Sequence, residues 1–252
     1  MYTRRQIWLL GSATLSLAAV PAATALQTSP KNKAFTEELW RRGQPIYDTT
    51  LEHPFLRGLR DGTLPKEKFR YYLVQDALYL RAFGQALNLL AAKAPREDWA
   101  IALGRHAIGA IEAERELHES ILRDYGVALA ATEKSEMAPV NRAYTNHILA
   151  TVSLRPFIEG LSAVLPCYWV YLEVGKNLIR RGSPNPEYQR WINQYGGDDY
   201  AKTVQEVLTM MNTLAETETQ TAKSRCLEIY ERSTRYEFLF WDMAWREERW
   251  LP

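Results

Sequence analysis

The chain has 252 residues, 46% hydrophobic and 24% charged, with a formal net charge of +1. That length and apolar content fit one globular domain with a sizeable core. Glycine and proline are sparse, which disfavours an all-β fold rich in turns, and with no basic run, nucleic-acid binding has no electrostatic support.

The first residues read as an export signal. Arg4 and Arg5 give a charged start of the twin-arginine kind, residues 7–20 form an apolar core, and Ala23-Thr24-Ala25 is a small-x-small cleavage pattern. The apolar stretch is short for a full membrane span. Residues 1–25 are therefore set apart as the signal, 26–33 as a loose leader and 34–252 as the folded domain. The expected location is the periplasm, with the membrane met only through the signal, or the cytoplasm if the signal is not used. Cleavage after Ala25 would remove Arg4 and Arg5 and leave a formal charge of −1. Export to an oxidising compartment would permit a bridge between the two cysteines, Cys167 and Cys226. A domain this large does not need one, and Cys226 reads as an ordinary inward-facing helix residue.

Nearly everything after the leader reads as helix. Phe35, Leu39, Trp40 and Ile46 open a helical pattern that Pro45 is expected to bend or interrupt. His53-Pro54 starts a short helix closed by Asp61-Gly62. Pro65 opens a long one in which Phe69, Tyr72, Leu73, Leu80, Phe83, Leu87 and Leu90 recur at helical spacing. Further helices are expected from about Pro95 to Tyr125, from Pro139, from Pro156 to about Arg181, from Tyr188 to Gln194, from about Asp198 (with Asp198 and Asp199 as caps) to Ala215, and from about Thr221 to Trp250. No period-two strand pattern competes, and short connections imply a single-domain all-α helical bundle.

The stretch at 161–175, LSAVLPCYWVYLEVG, is almost wholly apolar yet carries a cysteine directly after a proline. Pro166 suits either the first turn of a helix or a kink within one. In the first case Cys167 sits beside unpaired amide hydrogens that favour a thiolate. Tyr171 follows one turn later on the same face. A buried cysteine that merely packs is the plainer alternative.

Other polar groups sit on apolar faces. Tyr72, Asp76, Tyr79 and Phe83 share one face of the long helix, so the Asp76 carboxylate needs a partner from a neighbouring helix or from a ligand. Glu237 lies among Tyr236, Phe238, Phe240, Trp241 and Trp245, surroundings that raise a carboxyl pKa and suit a general acid. Asp242 reads as structural. Tyr144 and His147 share a face, and His147 reads as a satisfied core histidine. Tyr195 ends a helix before a Gly-Gly break. A rival constellation is metallic: Glu114 and His118, with Asp76, His147 and Glu237, could assemble a di-iron site. Bundles of that kind normally carry two Glu-x-x-His pairs, and only one approximate pair is found, one residue too long.

Taken together, HPFLRGLRDGTLP at 53–65, FRYYLVQDALYLRAF at 69–83, LLAAKAP at 89–95, AYTNH at 143–147, LPCYWVYLEVG at 165–175, WINQYGGDDY at 191–200 and RYEFLFWDMAW at 235–245 carry a resemblance. In this order the motifs are similar to those of the thiaminase II (TenA) family, over nearly all of the chain beyond the leader. The resemblance implies a haem-oxygenase-like helical fold, assembly as a homotetramer, and no metal or organic cofactor. It implies hydrolysis of aminopyrimidines, namely thiamine or 4-amino-5-aminomethyl-2-methylpyrimidine, to the hydroxymethyl product. Carried over by motif, the nucleophile falls on Cys167, the acid on Glu237 and the pyrimidine-holding carboxylate on Asp76, while Tyr79, Tyr144, Tyr171 and Tyr195 line the pocket. Gly196-Gly197-Asp198-Asp199 stands where the family often has a serine and an acidic pair, and the export signal is a second departure. The alternatives are an exported pyrimidine-binding protein without turnover and a metal oxidase of the same fold.

Overall fold

Residues 34–124 and 135–251 are described by a computed structural model, with side chains for all of these except 113–124. Among them are nine helices and no strand: α1 (Phe35–Leu51), α2 (Pro54–Asp61), α3 (Lys66–Lys93), α4 (Glu97–Asp124), α5 (Pro139–Leu154), α6 (Phe157–Ile179), α7 (Pro186–Gly196), α8 (Asp198–Ala215) and α9 (Gln220–Arg246). The organising element is α6, which packs against α3, α5, α7, α8 and α9. It is long and apolar enough to cross a membrane, but 89% of its apolar window is buried inside the bundle. A helix apolar on all sides belongs at the centre of a bundle, where every face has a neighbour.

The local signals act largely as expected. At α2, Pro54 takes the first helical position and the His53 side chain caps the helix, its Nδ1 accepting from the Phe55 amide at 3.2 Å. Gly62 then closes α2 with a φ of 71°, the left-handed conformation that favours glycine. His53 Nε2 faces Asp242 at 3.6 Å, tying α2 to α9 and giving Asp242 the structural part expected of it.

Four expectations need correction or resolution. Pro45 does not interrupt α1, which runs through it; packing of α1 on α8 and α9 holds the helix together there. Pro166 lies well inside α6, so the helix-start alternative does not hold. Asp198 and Asp199 stand in the first turn of α8 without capping it by side-chain hydrogen bonds; Asp199 instead pairs with Lys202 at 2.8 Å. The last helix stops at Arg246, because Glu247 adopts a φ of 50° and the chain turns off the helix axis. The segment beyond has other partners. Glu248 Oε2 accepts from the Val140 amide at 2.9 Å, at the open N-terminus of α5, and Trp250 Nε1 donates to the Met137 carbonyl at 2.9 Å. A carboxylate at a helix N-terminus is favoured by both the free amides and the helix dipole.

Both cysteines are free thiols, each buried in its own helix. Cys226 lies fully inside α9, where burial pushes its thiol up to about 11.

Among the described glycines, the closest approach is between α6 and the end of α7. A Cβ at Gly175 would stand 2.5 Å from the Gly196 nitrogen and 2.5 Å from the Tyr195 carbonyl carbon. Those are backbone atoms, which cannot swing aside as a side-chain tip can. Gly175→Ala is therefore expected to force α7 outward, at a cost of about 2 kcal/mol or more in stability. Denaturant unfolding of the variant beside the wild type measures this; an unchanged midpoint would contradict the contact.

Candidate active site

Five helices bring the ionisable groups together. From α3 come Asp76, Tyr72 and Tyr79; from α5, Tyr144; from α6, Cys167 and Tyr171; from α7, Tyr195; from α9, Glu237. All are buried; Asp76 and Glu237 are each only 2% exposed. Two carboxyl groups this deep are costly unless hydrogen bonds or a proton offset the loss of water.

Glu237 gains both. The Tyr144 hydroxyl donates to Glu237 Oε1. Burial pushes the Glu237 carboxyl up to about 8, with the nearby Asp76 charge adding to the rise and the Tyr144 hydrogen bond opposing it. At neutral pH this residue is held mainly in its acid form, as its aromatic company implied. Tyr144 in turn is held as a neutral phenol, well above its ordinary value, by burial first and by Glu237 and Cys167 after it. Its ring stacks on Tyr236 at 5.0 Å between centroids.

Tyr79 lies against Tyr144, with ring centroids 5.2 Å apart, and burial together with Cys167, Tyr144 and Glu237 holds its hydroxyl well above the ordinary value. That hydroxyl faces both the Cys167 thiol and the Tyr144 hydroxyl. On the other side, the Tyr171 hydroxyl meets that of Tyr72 at 3.3 Å, and its ring packs on Tyr195 at 4.9 Å and Trp241 at 5.2 Å. Tyr72 and Trp241 stack at 5.2 Å with their planes 9° apart. These rings form the rigid apolar wall.

Cys167 sits at the junction between this buried cluster and solvent. It lines a cavity of about 870 Å³ with Phe83, Tyr168, Tyr195, Tyr200 and Arg190 among the neighbouring residues. Since Cys167 lies well within α6, no helix start activates its thiol; dipole effects of that kind act within the first turn. Tyr200 reaches over from α8 and donates to the Cys167 carbonyl at 3.2 Å. The cluster thus brings together Asp76, Tyr79, Tyr144, Cys167, Tyr171, Tyr195 and Glu237, with the thiol on its solvent side.

His147 stands outside the cluster as a satisfied group. Its Nε2 meets Ser233 Oγ at 3.1 Å, and burial lowers it to about 4. The side chains of Glu114 and His118, on which the metallic alternative depended, lie outside the described residues. Among the described residues, no group of three His, Cys, Asp or Glu side chains is placed to hold a metal ion. The sequence reading missed Tyr168, Tyr200, His106 and Glu206, all of which line the cavity. Tyr200 stood within a quoted motif; His106 and Glu206 sit on amphipathic helices that gave no local sign of pointing inward.

Known proteins resemble this arrangement over most of the chain. The chain is 36% identical over 220 residues to the aminopyrimidine aminohydrolase of Bacillus subtilis (strain 168), covering 86% of this chain and 92% of that one. The structure superposes on a TenA homologue from P. horikoshii OT3 with a TM-score of 0.78 and 32% identity, over 84% of this chain and 99% of that one. A haem-oxygenase-like domain from Shewanella denitrificans OS217 matches with a TM-score of 0.66 at 15% identity, over 84% of this chain and 92% of that one, which bears on the fold alone. A family model described as TENA/THI-4/PQQC matches residues 40–247. The all-α, haem-oxygenase-like architecture is thereby established, and the chain belongs to the TENA/THI-4/PQQC family.

Proposed function

We propose that this chain hydrolyses aminopyrimidines at the Cys167 cluster, releasing a hydroxymethylpyrimidine. The observation that carries the proposal is that a buried thiol at a cavity wall and a carboxyl group held in its acid form both neighbour the same two phenols, Tyr79 and Tyr144. Relatives that bear the name aminopyrimidine aminohydrolase support the same reading.

The chemistry follows from the geometry. An aminopyrimidine is electron-poor, and protonation of a ring nitrogen makes it more so. Glu237 lends that proton, and its tie to Tyr144 fixes its direction. Cys167, as the thiolate, then adds to the activated ring carbon, dividing one hard substitution into two easier steps. The first expels the leaving amine with its C–N electron pair, leaving an exocyclic double bond. In the second, water adds to the exocyclic carbon, the thiolate departs with the C–S pair, and the ring proton returns to Glu237. Asp76 orients the ring through its amino edge. Tyr79, placed beside both the thiol and Tyr144, supplies a hydrogen-bond donor, and Tyr171 with Tyr195 holds the ring by stacking. The substrate is thiamine or the aminomethyl pyrimidine; ammonia leaves in the second case and a thiazole in the first. The residues named require no cofactor.

The same proposal extends to the setting. Arg4, Arg5 and the small-x-small pattern at Ala23-Thr24-Ala25 support export to the periplasm. Assembly as a homotetramer follows the resemblance, and Ile101, Ile108 and Ile111, exposed along α4, supply apolar surface for it. Cleavage is expected to leave Leu26 as the first residue, which N-terminal sequencing of secreted protein reads; light scattering reads the assembly.

Two outcomes test the chemistry. Cys167→Ala is expected to keep the fold and pyrimidine binding and to lose turnover by about a thousandfold or more; full activity in that variant would rule out the adduct. The second concerns pH. Glu237 acts as an acid and its pKa is raised to about 8, so the active form is protonated. Turnover is therefore expected to hold below about pH 8 and fall as pH rises through that value. Glu237→Gln should remove that limb along with most of the rate, as a pH–rate profile would record.

A further inference from the structure

The cavity outside Cys167 holds a chain of three polar groups that the adduct chemistry above leaves unused. Glu206 Oε2 on α8 lies 3.2 Å from His106 Nε2 on α4, and His106 Nδ1 lies 3.3 Å from the Tyr168 hydroxyl on α6. The His106 side chain is only 7% exposed, whereas that of Glu206 is 43% exposed. Arg105 Nη2 holds the same Glu206 oxygen at 3.4 Å.

The roles in this chain are fixed by donor inventory. A carboxylate only accepts, so His106 Nε2 carries the hydrogen that points to Glu206. Nδ1 of the neutral ring is then a bare acceptor, and the Tyr168 hydroxyl donates to it. Burial lowers His106 from its ordinary value, while Glu206 acts in the opposite sense, so the ring is neutral at neutral pH. Tyr168 is the residue next to Cys167 and both line the cavity; burial first, then Cys167 and Glu206, holds the Tyr168 hydroxyl well above its ordinary value, as a neutral donor. The three groups run from the solvent-facing rim to the side of the nucleophile.

We propose that Glu206–His106–Tyr168 is a proton relay that activates the water which resolves the Cys167 adduct. The inference rests on the adduct reading above and deepens it. Glu237 spends its proton on the ring in the first step; the second step needs a base on the side from which water enters, and the cavity is that side. As the water oxygen bonds to the exocyclic carbon, the exocyclic π pair moves into the ring and the C–S pair leaves with Cys167. The surplus water proton passes to the Tyr168 oxygen while the Tyr168 proton passes to His106 Nδ1. The resulting imidazolium is stabilised by Glu206, and it gives its proton to the departed amine or to solvent in the cavity. Tyr168 faces the water; His106 and Glu206 act through it and are positioning residues.

The test separates the two half-reactions. Tyr168→Phe removes a single oxygen, and His106→Gln removes the acceptor ring. Quenched-flow release of the leaving group and intact-protein mass after quenching are followed for each variant beside the wild type. The expected result is a burst of one leaving-group equivalent at the wild-type rate. Steady turnover should then be slowed about a hundredfold, with the Cys167 adduct accumulating as a mass increase. Glu206→Gln should show a smaller slowing of the same kind. A structural tie between α4, α6 and α8 would instead lower the thermal midpoint without changing how the adduct partitions. Unchanged steady turnover, or equal slowing of burst and turnover with no adduct, would overturn the relay. If His106→Gln fails to fold, Tyr168→Phe carries the test alone. A wild-type chain that releases no leaving group from either aminopyrimidine would overturn the hydrolase reading itself, a result distinct from the loss of the relay.

Discussion

The hydrogen bond from Tyr144 to Glu237 is the contact on which the rest of the site depends. It joins α5 to α9 across the bundle interior and satisfies one oxygen of a carboxyl that has no access to water. The other oxygen keeps its proton because burial and the neighbouring Asp76 oppose ionisation. A charged pair in its place would be costly to bury and would have no proton to give. A neutral acid hydrogen-bonded to a neutral phenol can be buried and still react. The aromatic wall around it, Tyr72 stacked on Trp241 and Tyr79 against Phe240 at 5.5 Å, keeps water out and so maintains that neutrality. Stability and reactivity here draw on the same exclusion of solvent.

The helices were legible because the chain marks them with ordinary signals. Proline at or just before helix starts, glycine at ends and apolar residues at steps of three and four gave the order and type of the described helices. Asp76 and Glu237 were legible for a related reason: a carboxylate among aromatic rings is an anomaly that periodicity exposes. Cys167 was legible as a candidate, but its setting was not. Whether Pro166 begins a helix or lies within one depends on what surrounds it, and the continuous burial of α6 on both sides of the proline decides the matter. Tertiary packing also ended α9 early, since Glu248 and Trp250 find partners on α5 and before it that no local pattern encodes.

His106 and Glu206 mark the limit of reading along the chain. They are a hundred residues apart, on helices whose polar residues look like a solvated face, and they meet only because α4 and α8 both flank the cavity. A single sequence carries no period or motif for such a meeting. The same holds for Gly175: its small size looks incidental until Tyr195 and Gly196 are seen to rest on it.

The clasp made by residues 247–250 has a consequence for the order of events in biosynthesis. Glu248 caps the helix that carries Tyr144, and Trp250 fastens the chain just ahead of it. Both belong to a segment synthesised more than a hundred residues after the start of that helix. A nascent chain can therefore form α3 through α6 early, but the Tyr144 helix keeps an uncapped start until residue 250 has left the ribosome. Since Glu237 also arrives late, the acid and the clasp that steadies its partner are delivered together. An incomplete chain would hold a thiol without its acid, and the reactive site exists only in the finished domain.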